Sequence, residues 1–366
     1  MRLNTLIVAV SAFLLSVSCV DRNDNGRQTI QYVRDILSGK ELAEKQILTA
    51  DDVPSYKDEI AIVGTDRNTV RLYEALAEYD KRDNIDGSLN PDELPDFAGE
   101  IFSLITQEEG FKTLIDRNQV PAVRRHLVMR VVSAMDTVSN LSIYDLEGKG
   151  NKSSSKMIIV TDPNLYHYSS FDVDTLFRAT SCVVPVVYPL DVMLDNAFND
   201  DKEKLNVAIL YDPEIASAKV YMDILKTKAQ SLGRELGSFI VFPTDNKENM
   251  FERLATAFKA SYGDEKIDVI LVDDYNIDIS AIKVNLADIV SVMNETYITY
   301  GQSFADDVKM MDVVEACASY CYDILRSENL FTHNISLPQA KMYRVHNTSN
   351  VLDSTIVLIP ELYVQN

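Results

Sequence analysis

There is no tryptophan in this chain of 366 residues, and only four cysteines and four histidines. So few cysteines in so long a chain exclude a disulfide framework as the source of its stability. His126, His167, His333 and His346 are scattered, and no His-Glu-x-x-His pattern exists, which removes the helical zinc site. The twelve glycines build neither GxGxxG nor GxxxxGK followed by Ser or Thr, and no GxSxG occurs. The backbone cradles for dinucleotides and nucleoside triphosphates, and the strained serine elbow, are therefore not encoded. Positive charge is short as well: 35 Lys and Arg stand against 56 Asp and Glu, a formal net charge of −21. That balance excludes a nucleic-acid partner, which needs clustered cations, and argues against docking of the protein surface on anionic lipid. The apolar run from Leu6 to Val17 is too short for a bilayer, which takes roughly 20 residues.

What is present is ordinary for a globular protein, with 46% hydrophobic and 25% charged residues and enough length for two domains. The opening MRLNTLIVAVSAFLLSVSC has a short positive start, an apolar stretch and small residues before a polar segment, the form of an export signal. LLSVSC resembles a bacterial lipobox, with Ser16 where an aliphatic residue is usual. That resemblance implies a lipid anchor on Cys19; cleavage after the small residues Ser16 or Ser18 is the alternative. The acidic stretch Asp21 to Asn25 resembles the tether of surface-exported lipoproteins in Bacteroides-like bacteria. The protein is thus expected to be an exported lipoprotein of the inner or outer membrane, facing the periplasm or the cell surface, and touching the membrane through its lipid alone.

From Asp58 onward, short β-branched runs alternate with amphipathic helices, the pattern of parallel sheets with crossover helices. The clearest runs are EIAIVGTD (59–66), KMIIVTDP (156–163), LNVAILYDP (205–213), SFIVFPTD (238–245) and IDVILVDDY (267–275), with CVVPVVYPL (182–190) as a proline-interrupted strand. ETYITYGQSF (295–304) reads as a strand leading into a helix that carries Cys317 and Cys321. These cysteines, four apart on the stripe of Val313, Val314, Ile324 and Leu325, are expected to be small core residues, with a metal or redox pair as the other reading. Between the first two strands lie about ninety residues that read as mostly helical. The fold expected is α/β, two Rossmann-like lobes with mainly parallel sheets, the first carrying a large helical insertion. The boundaries are 1–18 for the signal, 19–55 for a tether and N-terminal helix, 56–200 and 201–338 for the two lobes, and 339–366 for closing strands. Asp212-Pro213 and Asp245 to Glu248 have the form of helix starts, the second with capping-box spacing, and Gly233 that of a helix stop. The second half, from VAILYDPEIASAKVYMDILKTKAQSLG through ISLPQAKMYRV, resembles a lobe of the type 1 periplasmic binding protein fold. That resemblance implies capture of a small polar solute in an interlobe cleft, with a membrane transport partner.

Chemistry is expected where apolar strands end in aspartate, because open α/β sheets bind ligands beyond the carboxyl ends of their strands. The candidate ligand contacts are Thr65, Asp66, Asp162, Asp273, Asp274 and Tyr275. The competing role for such aspartates is capping of the following helix, the better reading for Asp212 and Asp245. RDNIDGSLNPDEL (82–94) resembles an EF-hand loop, which implies Asn84, Asp86 and Glu93 as calcium ligands; Arg82 stands where the first aspartate belongs. The bland reading is an acidic turn. No organic cofactor is expected. A second functional reading is an extracytoplasmic hydrolase using Asp66, Asp86, Asp96 and Glu100 as acid and base, and a third is a surface interaction protein that uses the α/β core only as a scaffold.

Overall fold

The computed structural model describes residues 27–49, 53–108, 110–140, 150–200, 202–283, 286, 303–350, 353–361 and 363. The signal, Cys19 and the acidic tether lie outside the described residues. The elements in chain order are α1 (Gln31–Ser38), α2 (Leu42–Thr49), β1 (Glu59–Thr65), α3 (Asp66–Ala77), β2 (Ile101–Gln107), α4 (Lys112–Asp116), α5 (Val120–Met135), β3 (Val138–Ser139) and β4 (Gly150–Asn151). They continue with β5 (Ser155–Val160), α6 (Pro163–Thr180), β6 (Val186–Val187), α7 (Pro189–Phe198), β7 (Lys204–Tyr211), α8 (Ala218–Ser231), β8 (Glu235–Pro243), α9 (Met250–Tyr262) and β9 (Ile267–Asp273). β10 (Phe304–Asp312), α10 (Val313–Ser327), β11 (Gln339–Asn350) and β12 (Asp353–Glu361) complete the described fold.

Two sheets result, with strand orders β12-β11-β2-β1-β5-β6 and β10-β9-β7-β8, and every pairing in them is parallel except β11 with β12. The α/β reading with two Rossmann-like lobes holds. β1 and β5 are buried along their whole length, which is why they are continuous apolar runs in the sequence. The pleat sends alternate residues to opposite faces. Ile60 and Ile62 join a core shared with the second sheet, while Ala61 and Val63 pack under α5 and α6. The shared core takes in Leu72 of α3, Met193 of α7, Tyr221 of α8, Cys317 of α10, and Val207 and Leu271 of the second sheet. On the far side of that sheet, Phe251, Leu254 and Phe258 of α9 form a third core.

The region between β1 and β5 holds α3, α4 and α5, but also β2, hidden in EIFSLITQ within a stretch that reads as helical. β10 is FADDVKMMD, whose sequence reads as the approach to the cysteine helix. Several of its side chains lie exposed at a sheet edge, and this removes the apolar signature of a buried strand. CVVPVVYPL gives only the two-residue β6, after which Pro189 opens α7. The late strand ISLPQAKMYRV does not complete the second lobe: β11 runs parallel beside β2 in the first sheet. Gly233, with φ of +63°, follows α8 as a stop, whereas the capping box at Asp245 does not form, since α9 begins at Met250 behind a left-handed Asn249.

Candidate functional site

Parallel strands place all their carboxyl ends on one rim of a sheet, and here the rims of the two sheets meet. From the first sheet, Asp162 follows β5 and caps α6: one carboxylate oxygen accepts the backbone N–H of Asn164 at 2.8 Å and its side-chain amide at 2.9 Å. Its other oxygen, Oδ2, is buried without a partner. Asn164 also donates to the carbonyl of Ile215 in the second lobe at 2.9 Å, which ties the two rims together, and its own Oδ1 is buried without a partner.

From the second sheet come Asp273 at the end of β9, Asp312 at the end of β10 and Tyr221 on α8. The Tyr221 hydroxyl donates to Asp273 at 2.8 Å. Asp312 caps α10 by accepting from the N–H groups of Val314 and Glu315. Tyr275 is buried, and its hydroxyl has no partner. Among the described residues no Lys, Arg or His lies within ion-pair distance of Asp162 or Asp273.

Burial dominates the electrostatics. It lifts the Asp162 carboxyl to about 6, against the opposing pull of the Asn164 donors and the Arg130 charge. It lifts Asp273 to about 7, and the neighbouring carboxylates Asp274, Asp162 and Asp312 push the same way while the Tyr221 hydrogen bond opposes. Burial also raises Asp312 and holds the phenols of Tyr221 and Tyr275 well above their ordinary range, with Asp162 and Asp273 acting on both. The result is two carboxyls, one from each lobe, raised by burial, beside two phenols raised well above their ordinary range.

The structure therefore brings three of the six candidate contacts, Asp162, Asp273 and Tyr275, to one place. The others do different work. Thr65 caps α3 through the N–H of Asn68, Asp66 pairs with Arg344, and Asp274 is tied up by Thr244 at 2.6 Å and by Asn276 at 2.9 Å. Asp212 accepts the N–H of Glu214 and pairs with Arg67 at 3.1 Å, so it holds a turn well before α8 begins. Tyr221 and Asn164 carry no motif and were invisible in the sequence. Arg130 did leave a signal: a cation on the buried stripe of Val123, Leu127 and Ala134 in α5.

Of the two readings of residues 82–94, the hydrogen bonding follows the acidic turn. In the 82–94 loop, Asp83 accepts the N–H groups of Ile85 and Asp86, Asp86 accepts that of Ser88, and Asp80 those of Asp92 and Glu93. Asn84 spends its amide on the carbonyls of Leu94 and Pro95, and Glu93 is exposed. The loop is an acidic turn closed on itself, and no three metal-binding side chains gather among the described residues. The hydrolase constellation does not form either. Asp66 lies at the carboxyl end of β1, Glu100 just ahead of β2 at the opposite end of the sheet, Asp96 on the N–H groups of Lys81 and Arg82, and Asp86 in the turn. Cys317 and Cys321 are free and buried with their sulfurs 3.8 Å apart inside the shared core.

No family model matches the chain, and no curated protein does. Solved structures that it is similar to include a glutamate racemase from Bacillus anthracis, at 11% identity and a TM-score of 0.48, covering 81% of this chain and 90% of that one. An aspartate racemase homologue from Pyrococcus horikoshii follows at 15% identity and 0.37, with 74% and 99% covered. A maleate isomerase from Pseudomonas putida stands at 10% identity and 0.37, with 74% and 92% covered. At such identities a likeness concerns the fold alone. The expectation of a periplasmic-binding-protein lipoprotein is nonetheless corrected, because the structures found are named as racemases and an isomerase. Solute capture and the transport partner are corrected with it, and the lipid anchor on Cys19 lies outside the described residues. Beneath the rims a shared apolar core joins the two sheets.

Proposed function

We propose that this protein is an acid–base enzyme that moves a proton on a small molecule held where the two sheet rims meet. The observation that carries this reading is the pair Asp162 and Asp273: carboxyls from opposite lobes, both buried, with no cation against either, and with an unpartnered Asp162 oxygen. Buried carboxyls without cations are costly, and their retention is accounted for by a task that needs protons at neutral pH.

The hydrogen bonding assigns the roles. Asp162, whose Oδ2 is buried without a partner, serves as the base and receives a substrate proton there. Asp273, raised by burial and held in place by Tyr221, returns a proton from the other lobe. In one cycle a C–H bond breaks, its electron pair stays on the substrate, Asp162 gains the proton, and Asp273 supplies one to the same or an adjacent atom. A proton passing back from Asp162 to Asp273 restores the site.

The test is hydrogen exchange in D2O. Wild-type protein is incubated with a panel of small carboxylic acids, hydroxy acids and amino acids, and loss of carbon-bound ¹H is followed by NMR. Exchange into at least one compound is expected, abolished in Asp162→Asn and in Asp273→Asn. No exchange across the panel, or exchange untouched by both substitutions, contradicts the reading.

A further inference from the structure

Arg130 is the largest fully buried side chain in the described protein. A guanidinium out of water calls for an anion or a full set of hydrogen bonds. Arg130 has neither. One Nη donates to the side-chain oxygen of Gln107 at the end of β2, the other reaches the carbonyl of His126 at 3.4 Å, and the Nε–H is buried without a partner. The ring of Phe111 covers one face of the guanidinium, 4.8 Å from its central carbon. No carboxylate among the described residues lies within ion-pair distance of it. His126 offers no negative charge, since burial and the charges of Arg130 and Arg125 hold its imidazole neutral, down at about 4.

The position of this cation gives it meaning. The pleat that puts Gln107 on the α5 face of β2 also puts Asp162 on that face beyond β5, and the two charges act on each other without touching. A small anion between them would satisfy the Nε–H and supply the missing negative charge. The flat, forked donor set of arginine suits a carboxylate.

We infer that Arg130 anchors a carboxylate group of the substrate, placing the adjacent carbon against Asp162 Oδ2. The inference rests on the acid–base reading for what happens at that carbon, but anion binding itself does not depend on turnover. Arg130 would also stabilise the electron pair left on the substrate when Asp162 takes the proton, because negative charge spreading onto the carboxylate is met by the guanidinium.

The test measures binding of acetate and succinate to the full chain by calorimetry, with acetamide as the uncharged control. Saturable binding of a carboxylate and none of acetamide is expected. Affinity should fall by about 10–100-fold in Arg130→Gln, the cost of removing a charged hydrogen-bonding partner, and by less in Arg130→Lys. Should Arg130→Gln fail to fold, the ¹⁵Nε resonance of Arg130 in wild-type protein decides: a shift on adding succinate supports the assignment, and none overturns it. Wild-type protein that binds no carboxylate, or folded Arg130→Gln that binds as well as wild type, also overturns it. Carboxylate binding at Arg130 with no hydrogen exchange in D2O would refute the acid–base reading while leaving the anion site in place.

Discussion

The two ends of the first sheet bury charge in opposite ways. At the amino ends of the strands the buried carboxylates of Glu59 and Glu100 each have a cation. Glu59 of β1 accepts from Ser103 of β2 and from Lys341 of β11, whose Nζ lies 2.5 Å away. Glu100 and Lys156 pair at 2.6 Å, with the N–H of Thr332 and the carbonyl of Leu330 completing their bonds. Lys152 spends all three donors on the carbonyls of Ala134, Asp136 and Ser153. At the carboxyl ends, Asp162 is buried without a cation and Arg130 without an anion against it. Stability alone explains the first arrangement. The second costs stability, and that difference is what the proposed proton-transfer site rests on.

The largest effect should come from breaking a pair at the amino end. Lys156→Met leaves Glu100 buried and alone, which costs about 3–5 kcal/mol, read as a lowered urea midpoint. Adding Glu100→Gln should recover much of that loss. The same surgery at the other end should have the reverse sign. Asp273→Asn removes a buried carboxylate that has no cation, so at pH 8 the variant should be more stable by a few kcal/mol, roughly 1.4 kcal/mol per unit of displaced pKa. The sign follows from linkage. Asp162 and Asp273 titrate above the ordinary carboxyl range when folded, so the stability they contribute is complete below about pH 4. It is lost as pH rises through about 6 and 7. Wild type should therefore lose stability from pH 5 to pH 8 by this route, and the gain from Asp273→Asn should shrink towards pH 4. A variant less stable than wild type at pH 8 would break the comparison.

Smaller effects sharpen it. Tyr221→Phe removes the donor that opposes the rise of Asp273, so its carboxyl should titrate higher still, at a stability cost at pH 8 of about 1–3 kcal/mol. Asp86→Ala, in a turn whose carboxylates serve backbone amides, should leave the urea midpoint almost unchanged. Millimolar calcium should leave the melting temperature of wild type unchanged. A calcium-dependent rise abolished by Asp86→Ala would restore the metal loop.

Where a strand stands out as a long apolar run, the sequence was legible. β1, β5, β7 and β9 were visible as apolar runs, and their terminal aspartates pointed to the rim where Asp162 and Asp273 meet. β10 and β2 were not: β10 mixes charged and apolar residues at an edge, and β2, buried and as long as β1, lies in a stretch that otherwise reads as helical. The place of β11 was hidden too, because it lies more than two hundred residues from the strand it joins, and no local pattern records that pairing. Of the site, the carboxylates were readable as a class, but their division of labour was not. Whether a strand-end aspartate caps a helix, pairs with arginine or stays without a cation depends on side chains far away in sequence, such as Arg344 for Asp66 and Tyr221 for Asp273. Arg130 is the exception, since a cation on an apolar helical stripe is an anomaly that the amino-acid pattern of α5 displays by itself.

The most direct measurement is titration of the side-chain carboxyl ¹³C resonances of Asp162 and Asp273 in the intact protein. Midpoints near 6 and 7, displaced together when either residue is changed to Asn, are the predicted result. Two carboxyls titrating independently near pH 4 would mean that the meeting of the rims is ordinary protein interior, and that no proton-transfer site exists there.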